Sequence, residues 1–303
     1  MVGSRPSPPD DACVLCGGAQ RARYDLGSHR LLYCSRCQLG QLSPLPTDAE
    51  LAALYASPAY FSGGDAVGYA DYVADAPQHA RSFRARLERL LRHGPIGDLL
   101  EIGCGPGLFL AEARRLGVTR VVGVDPNPWA VEQACARGVE AHVGSVETLD
   151  PSRRFDAVVM LDVLEHVVAP LPFFAAVRAR LQPDGRLLVM TPNIRSLLAR
   201  LSGRRWVSLK TPEHVRYYSP RSIRALLDVT GFDVLAIHAA GQYVTVAFFL
   251  ARLERLVPRS ARVLRRIVDA LALGGRVVFL TNGSIDVVAR PVTSAVDSAR
   301  TRR

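Results

Sequence analysis

The chain has 303 residues, 49% hydrophobic and 22% charged, a balance that suits one large globular domain plus an appendage and excludes a disordered or fibrous chain. No apolar run reaches the roughly 20 residues of a membrane span, and the opening MVGSRPSPPDDA lacks the apolar core of a signal peptide, so a cytoplasmic location is expected, with at most peripheral contact with the inner face of the membrane. The net charge of +10 invites a nucleic-acid reading, but Lys210 is the only lysine among arginines; phosphate-binding surfaces normally use both, so no nucleic-acid partner is expected.

At the N-terminus Cys13-x2-Cys16 and Cys34-x2-Cys37 stand seventeen residues apart. Two such knuckles at this separation match a zinc pattern, and in a reducing compartment thiolates so spaced hold metal rather than pair as disulfides. Residues 1–45 are therefore expected to form a zinc-ribbon module with Cys13, Cys16, Cys34 and Cys37 as ligands. Four protein ligands close the coordination shell, so the expected role of Zn2+ is structural. Cys104 and Cys135 read as small buried side chains. Residues 46–94 form a linker rich in proline, glycine and aromatic residues, followed by a basic amphipathic helix at 76–93. Tyr55, Tyr60 and Phe61 suit packing anchors, while Tyr69 and Tyr72, three apart, share one face of a helix that is expected to act as a lid.

The stretch 98–125, DLLEIGCGPGLFLAEARRLGVTRVVGVD, organises the rest. An apolar strand over 98–102 runs into a glycine turn, a helix opens near Gly107 and stops at Gly117, and a second strand over 121–124 ends in Asp125. A dinucleotide fingerprint starting at Gly103 and Gly105 needs a third glycine where Leu108 stands; the chain instead has Glu101-x-Gly103-x-Gly105-x-Gly107. An acid just ahead of the glycines repels a pyrophosphate and suits a ligand carrying an ammonium and a sulfonium, and Asp125 can accept from two ribose hydroxyls. These residues resemble motif I of the class I S-adenosylmethionine-dependent methyltransferases. The resemblance implies S-adenosylmethionine as cofactor, bound by Glu101, Gly103, Gly105, Gly107, Asp125 and the following Pro126.

Strands at 139–143, 155–160 and 186–190 alternate with helical segments, which indicates an α/β fold with a doubly wound parallel sheet. FDAVVMLDVLEHV and LQPDGRLLVMTPN resemble the regions after motif I in that family, including enzymes of the ubiquinone O-methyltransferase type. This implies a seven-stranded Rossmann-like sheet over 95–292 and adds Asp162, together with Ser145 and the Val146 backbone, to the cofactor site. Where the family usually has an acid facing adenine, this chain has Ser145. A serine-capped helix from 219 leads to a sixth strand at 232–237, and a last strand is expected at 284–289. The polar, aromatic stretch before that helix is expected to face the cofactor. Its Glu213-His214 pair, with the N-terminal cysteines, resembles bacterial sugar C-methyltransferases, in which such a pair and N-terminal tyrosines serve deprotonation. That implies Glu213, His214 and a tyrosine such as Tyr72; a neutral histidine suits a general base, which adds His166 after the fourth strand to the catalytic set, with His214, oriented by Glu213, as the first choice.

Residues 244–257 and 260–273 read as a helical insertion, 244–275, forming a basic amphipathic hairpin suited to an anionic bilayer or to another subunit. After Pro291 a polar tail, 293–303, is expected to lack order. The function expected is methyl transfer to a sugar, sugar nucleotide or related small molecule or glycan. An RNA or protein methyltransferase and a non-enzymatic zinc-ribbon binding protein are the competing readings. The intact glycine motif disfavours the latter, and the absence of an N/D-P-P-Y/F-type motif after the fourth strand disfavours the former.

Overall fold

The computed structural model describes residues 12–56, 76–247, 249–250, 254 and 258–292. Tyr60, Phe61, Tyr69 and Tyr72, the proposed lid and the tail 293–303 lie outside the described residues.

Parallel strands buried on both faces need long apolar runs, and the central ones have them. β4 (Asp98–Ile102), β5 (Arg120–Asp125), β6 (Glu140–Val143), β7 (Phe155–Leu161) and β8 (Leu181–Pro192) pair in parallel, with β4 between β5 and β7. β11 (Val277–Pro291) adds to β8 antiparallel, and β10 (Phe232–Thr245) to β11, giving the seven-stranded order β10-β11-β8-β7-β4-β5-β6. Leu100 and Ile102 enter one core with Val122, Val158 and Ile223, whereas Leu99 enters the other with Leu87, Phe109 and Leu110.

The crossovers are α3 (Leu108–Arg115), α4 (Pro128–Ala136) and α5 (Pro170–Ala179). Asn127 caps α4 by accepting from Ala130 N–H, with Pro128 in the first turn. α7 (Pro220–Val229) opens on a Ser219–Ser222 capping box. α1 (Asp48–Ala56) and α2 (Ala76–Leu91) precede the sheet, and α6 (Leu197–Ser202) leaves the end of β8.

Two expectations change. The sixth strand does not end at 237, and 244 does not begin a helix: β10 and β11 form one long hairpin whose bulges at Val234/Ala236 and Ala240/Gly241 let the twist continue to Thr245. Residues 246–247, 249–250 and 254 are helical, so the first helix of the insertion opens two residues later than expected, and α8 (Pro258–Ala270) is the second. The N-terminal ribbon is also not a free-standing unit. Its strands β1 (Gln20–Asp25), β2 (Arg30–Cys34) and β3 (Gly40–Ser43) form an antiparallel sheet that continues into β9 (Arg216–Tyr217), a two-residue strand from the far side of the chain. Gly40 pairs with Tyr217 and Gln41 with Arg216. Among the described residues no helix is long and apolar enough to cross a membrane.

Candidate active site and metal centre

The glycine turn sits at the carboxyl end of β4, where neighbouring strands part and open sheets bind ligands. Gly103 and Gly107 have φ of 69° and 77°. A Cβ on Gly103 would run into Val163, and one on Gly107 would lie 2.8 Å from Ala134 Cβ, so both positions require glycine. Asp125 ends β5 and is held from two sides. Gly105 N–H donates to Oδ2 at 2.8 Å and Asn127 N–H to Oδ1 at 2.9 Å, which leaves further lone pairs for a diol.

Glu101 is buried, and its Oε2 has no hydrogen-bond partner among the described residues. Burial, and then the Asp125 carboxylate, push its carboxyl well above the usual range. Burial also raises Asp125, against the two backbone donors. Two buried acids converging on one turn favour a cation placed between them. The orphaned oxygen, the glycine cradle and the diol-accepting Asp125 together fit S-adenosylmethionine.

The other cofactor candidates fall around this turn. Pro126 is exposed beyond Asp125. Ser145 N–H is taken by Thr148 Oγ1 at 3.1 Å, and the Val146 side chain is fully buried. Asp162 follows β7 with φ 53°, its N–H donating to Met190 O at 3.0 Å. Burial pushes its carboxyl up to about 6, opposed by Arg86 and Lys210.

Glu165, His166 and His214 come together: one ligand atom from each lies within 4.8 Å of the others. The imidazoles meet edge to face at 4.7 Å between centroids. His166 Nδ1 lies 3.0 Å from Glu213 O, and His214 Nδ1 lies 2.9 Å from Ser208 O. A carbonyl only accepts, so both rings carry the proton on Nδ1 and present a basic Nε2. Burial lowers His166 to about 4 and takes His214 well below its ordinary value, so both are neutral at physiological pH. Glu165 accepts from Thr191 Oγ1 at 2.9 Å, and burial with the neighbouring Asp162 raises its carboxyl well above the usual range.

The expectation that Glu213 orients His214 is corrected. Its carboxylate faces Lys210 Nζ at 3.3 Å, while Ser208 O orients the imidazole. Consecutive residues in this irregular turn diverge, and Glu213 reaches the other histidine only through its main-chain carbonyl. Tyr72 lies outside the described residues; the tyrosine brought to the histidines is Tyr55, expected only as a packing anchor. Its hydroxyl is 2.8 Å from His166 Nδ1 and its carbonyl accepts from Asn127 Nδ2 at 2.8 Å, tying α1 to both halves of the site. The Arg86–Asp286 pair at 3.0 Å, with Arg89 on the second oxygen at 2.6 Å, was also missed; a lone acid inside the apolar run SIDVVA was the available signal.

The four Sγ atoms of Cys13, Cys16, Cys34 and Cys37 lie within 4.8 Å of one another, with Cys13–Cys37 at 3.3 Å and Cys16–Cys34 at 3.5 Å. Tetrahedral zinc with bonds of about 2.3 Å spaces its sulfurs by roughly 3.8 Å, so the group fits Zn2+. The contact between Cys13 and Cys37 lowers the first thiol and raises the second. Of the other cysteines Cys104 is buried as expected, but Cys135 is exposed.

Residues 72–237 match the family described as a methyltransferase domain. This chain belongs to that family. The methyltransferase is 32% identical over 170 residues to the ubiquinone biosynthesis O-methyltransferase of Bradyrhizobium diazoefficiens, covering 52% of this chain and 66% of that protein. It is 36% identical over 126 residues to the mitochondrial ubiquinone biosynthesis O-methyltransferase of Schizosaccharomyces pombe, covering 39% and 43%. The matches thus span less than two thirds of these relatives. The magnesium protoporphyrin IX methyltransferase of Synechocystis PCC 6803, solved with bound SAH, superposes with a TM-score of 0.52 at 15% identity over 81% of this chain and all of that one, which establishes the shared fold. The domain is a class I S-adenosylmethionine-dependent methyltransferase domain with a four-cysteine ribbon attached.

Proposed function

We propose that this methyltransferase alkylates a hydroxyl or carbon acid of a small polyhydroxylated acceptor: a sugar, a sugar nucleotide or a related glycan. The observation that carries the reading is a set of buried polar atoms near the two histidines without hydrogen-bond partners among the described residues: Glu165 Oε1, Glu213 Oε2, and the hydroxyls of Tyr217 and Tyr218. Buried polar groups are normally satisfied, and so many in one region suit a ligand that brings several hydroxyls.

S-adenosylmethionine supplies an electrophilic methyl on a cationic sulfur. Glu101 would hold the ammonium and Asp125 the ribose, which would fix the cofactor's approach to the acceptor. His214 Nε2 takes the acceptor's proton as the new bond forms. Its neutral state keeps that lone pair free, and Ser208 O holds the tautomer.

Similarity to ubiquinone biosynthesis O-methyltransferases supports a second reading, transfer to a phenolic hydroxyl. Labelled S-adenosylmethionine offered with nucleotide-activated sugars in one series and catechols in another separates the two. A methylated sugar identified by mass spectrometry is the expected product. Transfer confined to catechols selects the second reading, and transfer to RNA or protein alone overturns both.

A further inference from the structure

The β10–β11 hairpin outruns its sheet. β11 begins to pair with β8 at Ser284, opposite Pro192, so 277–283 and their partners at 241–245 project past the carboxyl end of β8. That is the edge where Glu101, Asp125 and the histidines gather. α8 lies in the connection between the two projecting strands.

At 100° per residue, Val263, Ile267, Leu271 and Leu264 fall within one arc about 100° wide. All four are between 42% and 61% exposed. Ala261 and Val268, on the adjoining arc, are the buried side chains of the same stretch. The helix is thus held by a narrow stripe and leaves a wider apolar one uncovered. The remaining arc carries Arg262, Arg265 and Arg266, with Arg265 between Glu254 and Asp269 at 3.4 and 4.0 Å. Phe279 and Val277 add exposed apolar surface on the projecting part of β11. At the base of the hairpin, a Cβ on Gly283 would lie 3.5 Å from Leu198 of α6, whose Leu197, Leu198 and Leu201 are exposed too. Residues 195–210 carry four arginines and Lys210 with no acid.

We propose that α8, with the hairpin tip and the leucines of α6, seats this protein on an anionic lipid bilayer and sets the mouth of the methyl-transfer site against the membrane surface. An apolar stripe bordered by arginines matches acyl chains below and anionic headgroups alongside. A second copy of the same face is disfavoured, because apposing two such surfaces brings arginine against arginine with few acids between.

Flotation of the full chain with vesicles tests this independently of the acceptor. The protein is expected to float with mixed phosphatidylcholine–phosphatidylglycerol vesicles at low salt and to bind pure phosphatidylcholine at least roughly tenfold more weakly. Ile267→Asp with Leu271→Asp should abolish flotation while thermal unfolding and S-adenosylmethionine binding stay as in wild type, and Arg262→Glu with Arg266→Glu should weaken it. Failure of wild type to float on the mixed vesicles, or unchanged flotation of the aspartate variant, overturns the proposal. So does a lipid-free dimer that the aspartate substitutions dissociate.

Discussion

His214→Ala is expected to reduce turnover by roughly 10²- to 10⁴-fold while changing cofactor affinity by less than about twofold, the signature of a lost general base. The expectation rests on an imidazole whose Nδ1–H is committed to Ser208 O, leaving Nε2 for the acceptor. His166 differs because it also ties Glu213 O and Tyr55 together across the site, so His166→Ala should lower thermal stability along with activity. The pH dependence follows from burial. His166, lowered to about 4, and His214, held well below its ordinary value by burial, are neutral at pH 6.5, so the acid limb of kcat should lie well under that pH. A histidine with a depressed folded pKa contributes stability above its unfolded value of about 6.5 and loses it as pH falls toward the folded one. Asp162 and Glu165, both raised by burial, work in the opposite direction. The contribution of His166 is therefore read as the difference between the pH–stability curves of wild type and His166→Ala. Near-normal turnover of His214→Ala with weakened acceptor affinity would make His214 a binding residue and leave the proton to His166.

Removing zinc should disable the catalytic loop and not merely the ribbon. Metal analysis is expected to find one zinc per chain, and Cys34→Ala or chelation to lower turnover by about 10- to 100-fold, as a misplaced catalytic group does. The route is structural. β3 pairs with β9, Leu42 N–H donates to Val215 O, and Val215 N–H donates to Glu165 O, both at 2.9 Å. Arg216, buried beside the ribbon, donates to Gln41 Oε1 and Val168 O at 2.5 and 2.6 Å. Cys13, Cys34 and Cys37 share a core with Tyr218 and Ile223. Loosening the cysteines therefore shifts the loop carrying His214, whereas Glu101 and Asp125 stand on β4 and β5, which pair with no strand of the ribbon sheet. Cofactor affinity should fall much less than turnover, and after chelation added zinc should restore both. A metal content near zero in protein prepared without chelator would rule this out.

The cofactor half of the site was legible because its determinants are local. Strand, glycine turn, helix and Asp125 follow one another within 28 residues, and each glycine is dictated by backbone geometry that its neighbours impose. The four cysteines were legible for the same reason. The acceptor half was read only in part, since its geometry is set by distant segments. The sequence placed His214 beside Glu213, but Lys210 draws the carboxylate one way and Ser208 the imidazole another. β9, only two residues long, carries no strand signal of its own and exists because β3 offers an edge. Tyr55 looked like one aromatic among several until α1 brought its hydroxyl to His166. The length of the β10–β11 hairpin escaped notice because Val244 and Thr245 suit a strand as well as a helix start; they pair with Val278 and Val277, and the helix opens at 246.

Titration calorimetry with S-adenosylmethionine tests the central claim most directly. One site per chain with micromolar affinity is expected, with no binding of NAD and a loss on Asp125→Ala of about 1.5–3 kcal/mol, or roughly 10- to 150-fold, for removing a charged acceptor of the ribose hydroxyls. Wild-type protein that ignores S-adenosylmethionine and binds NAD would contradict it.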